Sequence, residues 1–315
     1  MKPRIVFMGT PSFAVPILEA LIDKYNVTMV VCQPDRKKNR KGKVEYPETK
    51  KVALNHGINV FQPERIKENY KPIIDAKPDL IITCAYGQII PDIILNYPKI
   101  GCINVHGSLL PELRGGAPIH WAIIRGYKET GITIMDMSSK MDAGDIISQA
   151  SIKIDDDMIL DTLYEKMSYL GRNLLIETLP SIIDNTCTRN KQDESKVTFG
   201  FNIKKEDTKI DFSKPSIDIK NLIRGLNSIP GAYCYLNNKR MKVYDIEILE
   251  KLSNKEKCGK IVTIEKDGII CTTKDNLIKI KELAIEGKKR CKAIDFLNGI
   301  KKEELVGKVF NNEEE

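Results

Sequence analysis

The residues best placed to do chemistry lie in "NVHGSLLPELRGGAP", Asn104 to Pro118, just after the apolar run "KIGCI". This stretch holds one of only three histidines in the chain, and Asn104 stands two residues before it. In an extended segment, residues i and i+2 point to the same side. The Asn104 amide and the His106 imidazole can therefore face one reacting atom. An amide N–H can donate to a developing oxyanion, and a histidine can donate or carry a proton. The competing account is a histidine that merely hydrogen-bonds the loop it begins. A third group is needed to orient the imidazole or to take a proton. Asp142 and Asp145, in "KMDAGDI", sit in a loop between two strand-like runs, where aspartates are also ordinary turn formers. Ser108 has no base other than the nearby histidine and no Gly-x-Ser-x-Gly around it, so a serine nucleophile ranks low.

A site of this kind needs strands to carry it. "RIVFM" (4–8), "VTMVVC" (27–32), "DLIITC" (79–84) and "IGCINV" (100–105) are short apolar runs rich in β-branched residues, as strands buried on both faces are. Segments 14–24, 49–56 and 117–125 between them have helical spacing. Strand alternating with helix predicts an α/β, doubly wound, mainly parallel sheet of Rossmann-like type. In such a sheet, ligands bind beyond the carboxyl ends of the strands, where Asn104 and His106 fall. "GITIMDM" and "DIISQASIKI" add later strands, and 160–183 reads as a long amphipathic helix. Residues 187–206 are polar and lack periodicity. After a helix at 216–227, five short strand patterns follow at 232–236, 240–248, 259–265, 268–273 and 277–285, which predicts a smaller C-terminal β-barrel of the oligonucleotide-binding kind. The expected organisation is a catalytic domain over 1–189, a linker over 190–205 and the barrel over 206–315.

The 315 residues suffice for two cores. No run approaches the roughly 20 apolar residues of a membrane helix, and "MKPRIVFMGTPSFAVP" reads as a first strand and turn rather than a signal peptide. The eight cysteines form no Cys-x-x-Cys pair. They read as reduced thiols of a cytoplasmic protein, with no zinc site. "MGTPSFAVP" is neither a dinucleotide fingerprint nor a phosphate loop. The net charge of +7 is concentrated. Residues 35–51 carry eight basic and three acidic side chains, net +5, and residues 206–310 carry 22 and 16, net +6. Two such regions suit a polyanionic partner, although a basic run is also an ordinary solvated face.

"NVHGSLLPELRGGAPIHWAI" resembles the signature of the formyltransferases that use 10-formyltetrahydrofolate. The resemblance runs the length of the chain: "VFMGTPSFAVPIL", "QPDRKKNRKGK", "VFQPERIK", "DLIITCAYGQIIP", "TGITIMDMSSKMDAGDII" and "LIRGLNSIPGAY". Their order and spacing are similar to those of family members that act on initiator methionyl-tRNA. The resemblance implies that Asn104, His106 and Asp142 are the catalytic trio. It implies that Ser108, Leu109, Leu110 and Pro111 line the folate site, with Tyr86, Gly87, Gln88, Ile89 and Met137 against the pterin ring. It implies 10-formyltetrahydrofolate as formyl donor without a metal, initiator methionyl-tRNA as partner, no DNA or membrane, and a monomer. The insertion at 33–48 would enter the acceptor arm of the tRNA, with Arg40 at its tip and Arg36, Lys41 and Lys43 around it. Asn39 and Lys41 stand where the family usually has glycines. Three rivals share parts of this pattern. A formyltransferase for a nucleotide-linked amino sugar has no need of the basic insertion. A folate hydrolase leaves the second domain unexplained, and a nonenzymatic RNA-binding module has no use for the trio.

Overall fold

The apolar runs fold as a buried sheet because their residues have no polar face to offer water. A computed structural model describes residues 2–37, 44–249 and 256–310. Arg40, Lys41 and Lys43 of the basic insertion lie outside the described residues. The chain groups into two units: 1–118 with 129–153 and 164–202, and 119–128 with 154–163 and 203–315.

In the first unit the order is β1 (Arg4–Gly9), α1 (Val15–Lys24), β2 (Asn26–Val31), a small hairpin of β3 (Arg36–Lys37) and β4 (Val44–Glu45), α2 (Glu48–Asn55) and β5 (Asn59–Phe61). Next come α3 (Lys71–Asp75), β6 (Leu80–Cys84), α4 (Asp92–Leu95) and β7 (Gly101–His106). Past α5 (Pro118–Ile124), which groups with the second unit from Ile119 on, follow β8 (Glu129–Asp136), β9 (Ile146–Lys153) and the long α6 (Leu160–Ile183), which belongs to the first unit from Tyr164 on. The sheet order is β5-β2-β1-β6-β7-β8-β9. Pairing is parallel from β5 to β7, and β8 and β9 are antiparallel additions. Both faces of β1 are closed: Val6 and Met8 pack with Ile81, Cys102, Ile73 and Ile94, while Ile5 and Phe7 are as fully buried. The strand order reverses around β1, so the carboxyl ends of β1, β6 and β7 form the crevice where this topology binds ligands. The short β5, α3, α4 and the β3–β4 hairpin were not legible in the sequence. Each is too brief to show a period.

The second unit holds α7 (Ser216–Gly225), then β10 (Ala232–Leu236), β11 (Lys239–Ile248), β12 (Ile261–Ile264), β13 (Ile269–Thr272), β14 (Leu277–Ile285), β15 (Cys291–Lys292) and α8 (Ala293–Leu297). The antiparallel sheet runs β10-β11-β14-β13-β12, with β15 beside β14. Each of the five strand patterns read from the sequence is present. Residues 154–163 group here because Arg224 ties them to α7: its guanidinium donates to the Asp155 and Met158 carbonyls at 3.0 and 3.1 Å. The Arg224 Nε also holds Asn221, at 2.9 Å. Among the described residues no helix is long and apolar enough to cross a membrane.

Candidate active site

β7 delivers Asn104 and His106 to the carboxyl edge of the sheet, where they are half-buried and 5% exposed respectively. Thr83 on the neighbouring β6 donates its hydroxyl to Asn104 Oδ1 at 2.8 Å, with Ile103 O at 3.1 Å and the Met137 sulfur at 3.1 Å as competing acceptors. The bond engages the oxygen end of the Asn104 amide. The carbonyl end is held by protein, and the NH2 end remains as a donor. Thr83 was missed in the sequence reading, although a lone hydroxyl inside the apolar run "LIITC" was its signal.

His106 Nε2 lies 3.2 Å from the Leu113 carbonyl. A carbonyl only accepts, so the neutral ring keeps its proton on Nε2 and Nδ1 is the nitrogen that can take another. Nδ1 faces Asp142 Oδ1 at 3.7 Å, a gap slightly longer than a hydrogen bond. Of the two aspartates weighed from sequence, Asp142 faces the imidazole. Asp145 instead gives its carbonyl to the Asp136 N–H, at 2.9 Å.

Asp142 is held through both its side chain and its carbonyl. Its Oδ2 accepts the Gly115 N–H at 2.8 Å, and Gln192 Nε2 donates at 2.8 Å to both the Asp142 and Gly144 carbonyls. Gln192 Oε1 in turn accepts from Arg114 Nε and Nη2 at 3.0 and 2.8 Å, and Arg114 also pairs with Glu194 at 2.8 Å. Arg114 therefore fixes the loop and is committed to protein partners. Gln192 belongs to the segment read as a linker, whose polar, aperiodic sequence gave no sign of this role. The same segment lies against the site loop. Thr198 Oγ1 accepts the Leu113 N–H at 2.9 Å, the Arg114 N–H reaches the Thr198 carbonyl at 2.9 Å, and the Gly200 N–H reaches the Arg114 carbonyl at 2.8 Å. This close approach requires the glycines. A Cβ on Gly115, whose φ is +122°, would lie 2.9 Å from Gly200 O, and one on Gly116 would overlap Asn202 Oδ1. Three non-glycine residues around the site, Ala85, Leu113 and Asp142, take φ of +49°, +58° and +47°. Backbone strain of this kind clusters where a site is over-determined by its surroundings.

The remaining expected residues fall into two groups. Ser108 is 1% exposed and donates its hydroxyl to the Glu112 carbonyl at 2.6 Å, so it closes the loop and is no nucleophile. Leu110 is buried, and its N–H and carbonyl are taken by Thr133 and Gln149 at 3.1 and 2.9 Å. Leu109 and Pro111 are half-buried beside them. Along 85–90, Thr10 and Gln33 donate to the Tyr86 carbonyl at 3.0 and 3.1 Å, and the Gln88 amide bonds Ile66 N and Pro63 O. The Tyr86 ring turns into the core, where burial pushes its hydroxyl pKa upward. Gly87 and Ile89 face solvent, Ile89 at 74% exposure. Met137 packs half-buried against the core by Thr83. Arg36, on β3, is exposed.

The arrangement offers one free amide donor, one imidazole nitrogen able to load and unload a proton, and a carboxylate beside it. This set suits acyl transfer to an amine. Residues 3–179 match the Formyl transferase family and residues 202–301 match the Formyl transferase, C-terminal domain family. The fold is thus that of a formyl transferase. Curated relatives narrow the class. The methionyl-tRNA formyltransferase of Bacillus licheniformis is 50% identical over 300 residues, 94% of this chain and 95% of that protein. Those of Bacillus subtilis and Malacoplasma penetrans are 48% and 45% identical, each over 94% of this chain. The chain belongs to the methionyl-tRNA formyltransferase family. Among solved structures, the N-formyltransferase of Helicobacter canadensis with folinic acid and dTDP-3-aminofucose superposes with a TM-score of 0.67 at 20% identity, covering 89% of this chain and 99% of that one. HypX of Aquifex aeolicus with tetrahydrofolic acid gives 0.64 at 15% identity, covering 94% of this chain and 47% of that one. At these identities both speak for the fold alone.

Proposed function

We propose that the chain transfers the formyl group of 10-formyltetrahydrofolate to the α-amino group of methionine on initiator methionyl-tRNA. The observation that carries this reading is the Asn104 amide. Thr83 holds its oxygen, and its NH2 is left to meet a developing oxyanion beside a proton-carrying His106–Asp142 pair. The α-amino group needs no strong base. Its ordinary pKa is about 7.7–8, and the adjacent ester lowers it, so a neutral fraction exists near pH 7. As the amine nitrogen bonds to the formyl carbon, Asn104 donates to the formyl oxygen. His106 takes the proton that the amine sheds on Nδ1, the nitrogen that Leu113 leaves open, with Asp142 countering the charge. The same proton is returned to the folate nitrogen as its bond to the formyl carbon breaks. Residues 87–89 and 108–111 offer a wall to the folate, and Ile89 is the large exposed apolar side chain among them.

The basic run at 35–51 and the basic second unit suit a tRNA acceptor. A nucleotide-linked amino sugar would leave that charge without a purpose. The deciding assay offers 10-formyltetrahydrofolate with methionyl initiator tRNA, methionyl elongator tRNA, free methionine and a nucleotide-linked amino sugar side by side. Formylation of the charged initiator alone is expected. Transfer to the sugar alone would sink the tRNA reading and leave the trio standing.

A further inference from the structure

The loops after four neighbouring parallel strands are laced together at the carboxyl edge of the first unit's sheet. In sheet order the strands are β5, β2, β1 and β6, and Gln62, Gln33, Thr10 and Tyr86 lie within two residues of their ends. The Tyr86 carbonyl accepts twice, from Thr10 Oγ1 at 3.0 Å and from Gln33 Nε2 at 3.1 Å. Gln33 also donates its backbone N–H to Thr10 Oγ1 at 3.2 Å, which closes a triangle. The Gln33 carbonyl is held in turn by Gln62 Nε2 at 2.9 Å. The next carbonyl after Gln62, that of Pro63, accepts from Gln88 Nε2 at 3.1 Å. The ring of bonds thus returns to the loop where it began. The backbone it holds is one the chain disfavours: Ala85 and Gly87, on either side of Tyr86, have φ of +49° and +92°. Both side-chain donors meet the Tyr86 main chain, not its buried ring. They therefore set the course of 87–89, where Gly87 and Ile89 stand exposed.

We propose that Gln33 is a positioning residue for the folate: through the Tyr86 carbonyl it fixes the wall at 87–89 before the ligand arrives. This rests on the proposed function, which puts the folate against that wall. Gln33 touches no reacting atom. Its contribution is to order in advance a segment that binding would otherwise have to order, and a wall already in place spares the ligand that cost. The effect belongs to folate affinity and not to the chemical step, because Asn104, His106 and Asp142 are held by other partners.

The test combines titration calorimetry with folinic acid, the stable 5-formyl isomer of the donor, and steady-state kinetics in each substrate. Gln33→Met keeps the length of the side chain and removes its donor. It should weaken folinic acid binding and raise the KM for 10-formyltetrahydrofolate by about threefold to tenfold, the worth of one ordinary hydrogen bond. The KM for methionyl-tRNA and kcat should stay within about twofold. Thr10 reaches the same carbonyl independently. Thr10→Val should weaken folinic acid binding by a similar factor, and Thr10→Ser, which keeps the hydroxyl, should not. Unchanged folinic acid binding in Gln33→Met overturns the proposal. So does a rise in both KM values with a fall in kcat, which would mark a general disturbance of the fold. Equal weakening in Thr10→Val and Thr10→Ser overturns it too, since packing would then explain the change. The unaltered chain separates the two failures. No formyl transfer to methionyl-tRNA would sink the function, whereas transfer with folinic acid binding equal to that of Gln33→Met would sink only the positioning role.

Discussion

Thr83 Oγ1 donates to Asn104 Oδ1 at 2.8 Å, and this bond across β6 and β7 engages the oxygen of the amide. With the oxygen held, the NH2 group is set for a developing oxyanion before any substrate arrives. Preorganised donors of this kind cost no reorganisation during reaction. Asn104→Ala should lower kcat by about a hundredfold to a thousandfold, with little change in either KM. Thr83→Val keeps the shape and removes the hydroxyl. It should lower kcat by about threefold to tenfold, the worth of one ordinary hydrogen bond. The two losses should not add, because Thr83 acts through Asn104. Steady-state kinetics of both single variants and the double variant test this. Full additivity would show that Thr83 matters for some other reason.

Gln192 presents both ends of its amide to the site. Its NH2 group binds the Asp142 and Gly144 carbonyls and its oxygen binds Arg114. Gln192→Glu would set a carboxylate oxygen against two carbonyls while improving the Arg114 contact. It should lower kcat by about tenfold or more and leave the KM for tRNA within about twofold, as expected of lost positioning rather than lost substrate contact. Arg114→Lys should behave alike, since a single ammonium cannot reproduce the forked contacts to Gln192 and Glu194. A selective rise in the KM for tRNA on Arg114→Lys would mean that this arginine meets phosphate after all.

The sequence made Asn104 and His106 visible for a physical reason, whereas Asp142, an ordinary turn former by type, entered only through the family resemblance. Asn104 and His106 share one strand, so their relation is fixed by period, and their polar types stand out at the end of an apolar run. The strands buried on both faces were legible for the same reason. Their partners were not legible. Leu113 acts through its carbonyl, Gly115 through its N–H, and Gln192 from a segment without period. A backbone group leaves no trace in residue type. A contact spanning 50 residues, such as that of Gln192 with Asp142, is set by tertiary folding alone. Tyr86 was placed beside the pterin by the family resemblance alone; in the fold, the left-handed turn at Ala85 and the bonds to the Tyr86 carbonyl accompany a ring packed in the core.

Arg4 and Asp79 join the start of β1 to the residue just before β6. Arg4 Nε and Nη2 each reach the carboxylate at 3.2 Å, and the Arg4 N–H donates to it at 2.8 Å. The guanidinium bonds hold the Asp79 carboxyl below its ordinary pKa, with the backbone N–H adding to the effect. For an acid whose folded pKa is depressed, the stabilisation is present above the unfolded value and is lost as pH falls through the folded one. Asp79→Asn should therefore destabilise the chain at pH 7 and lose its effect on acidification below about pH 4. Urea unfolding of both proteins at neutral pH and through the acid range measures this. A gap that stays constant with pH would mean that the carboxylate charge contributes nothing.

Arg40 is the residue of the basic run that the family resemblance places at the tip of the acceptor-arm insertion. A cation that meets phosphate adds affinity and salt dependence without touching the chemistry. Arg40→Ala should raise the KM for methionyl-tRNA, leave the KM for 10-formyltetrahydrofolate and the saturated kcat near their original values, and reduce the slope of log affinity against log salt by about one. Binding of tRNA measured from low to moderate salt, alongside kinetics in each substrate, separates this from a folding defect. A folding defect would lower kcat and raise both KM values. An unchanged salt slope with a raised KM would place Arg40 against a base or against protein, and the +5 of residues 35–51 would then act through Arg36 and its lysine neighbours.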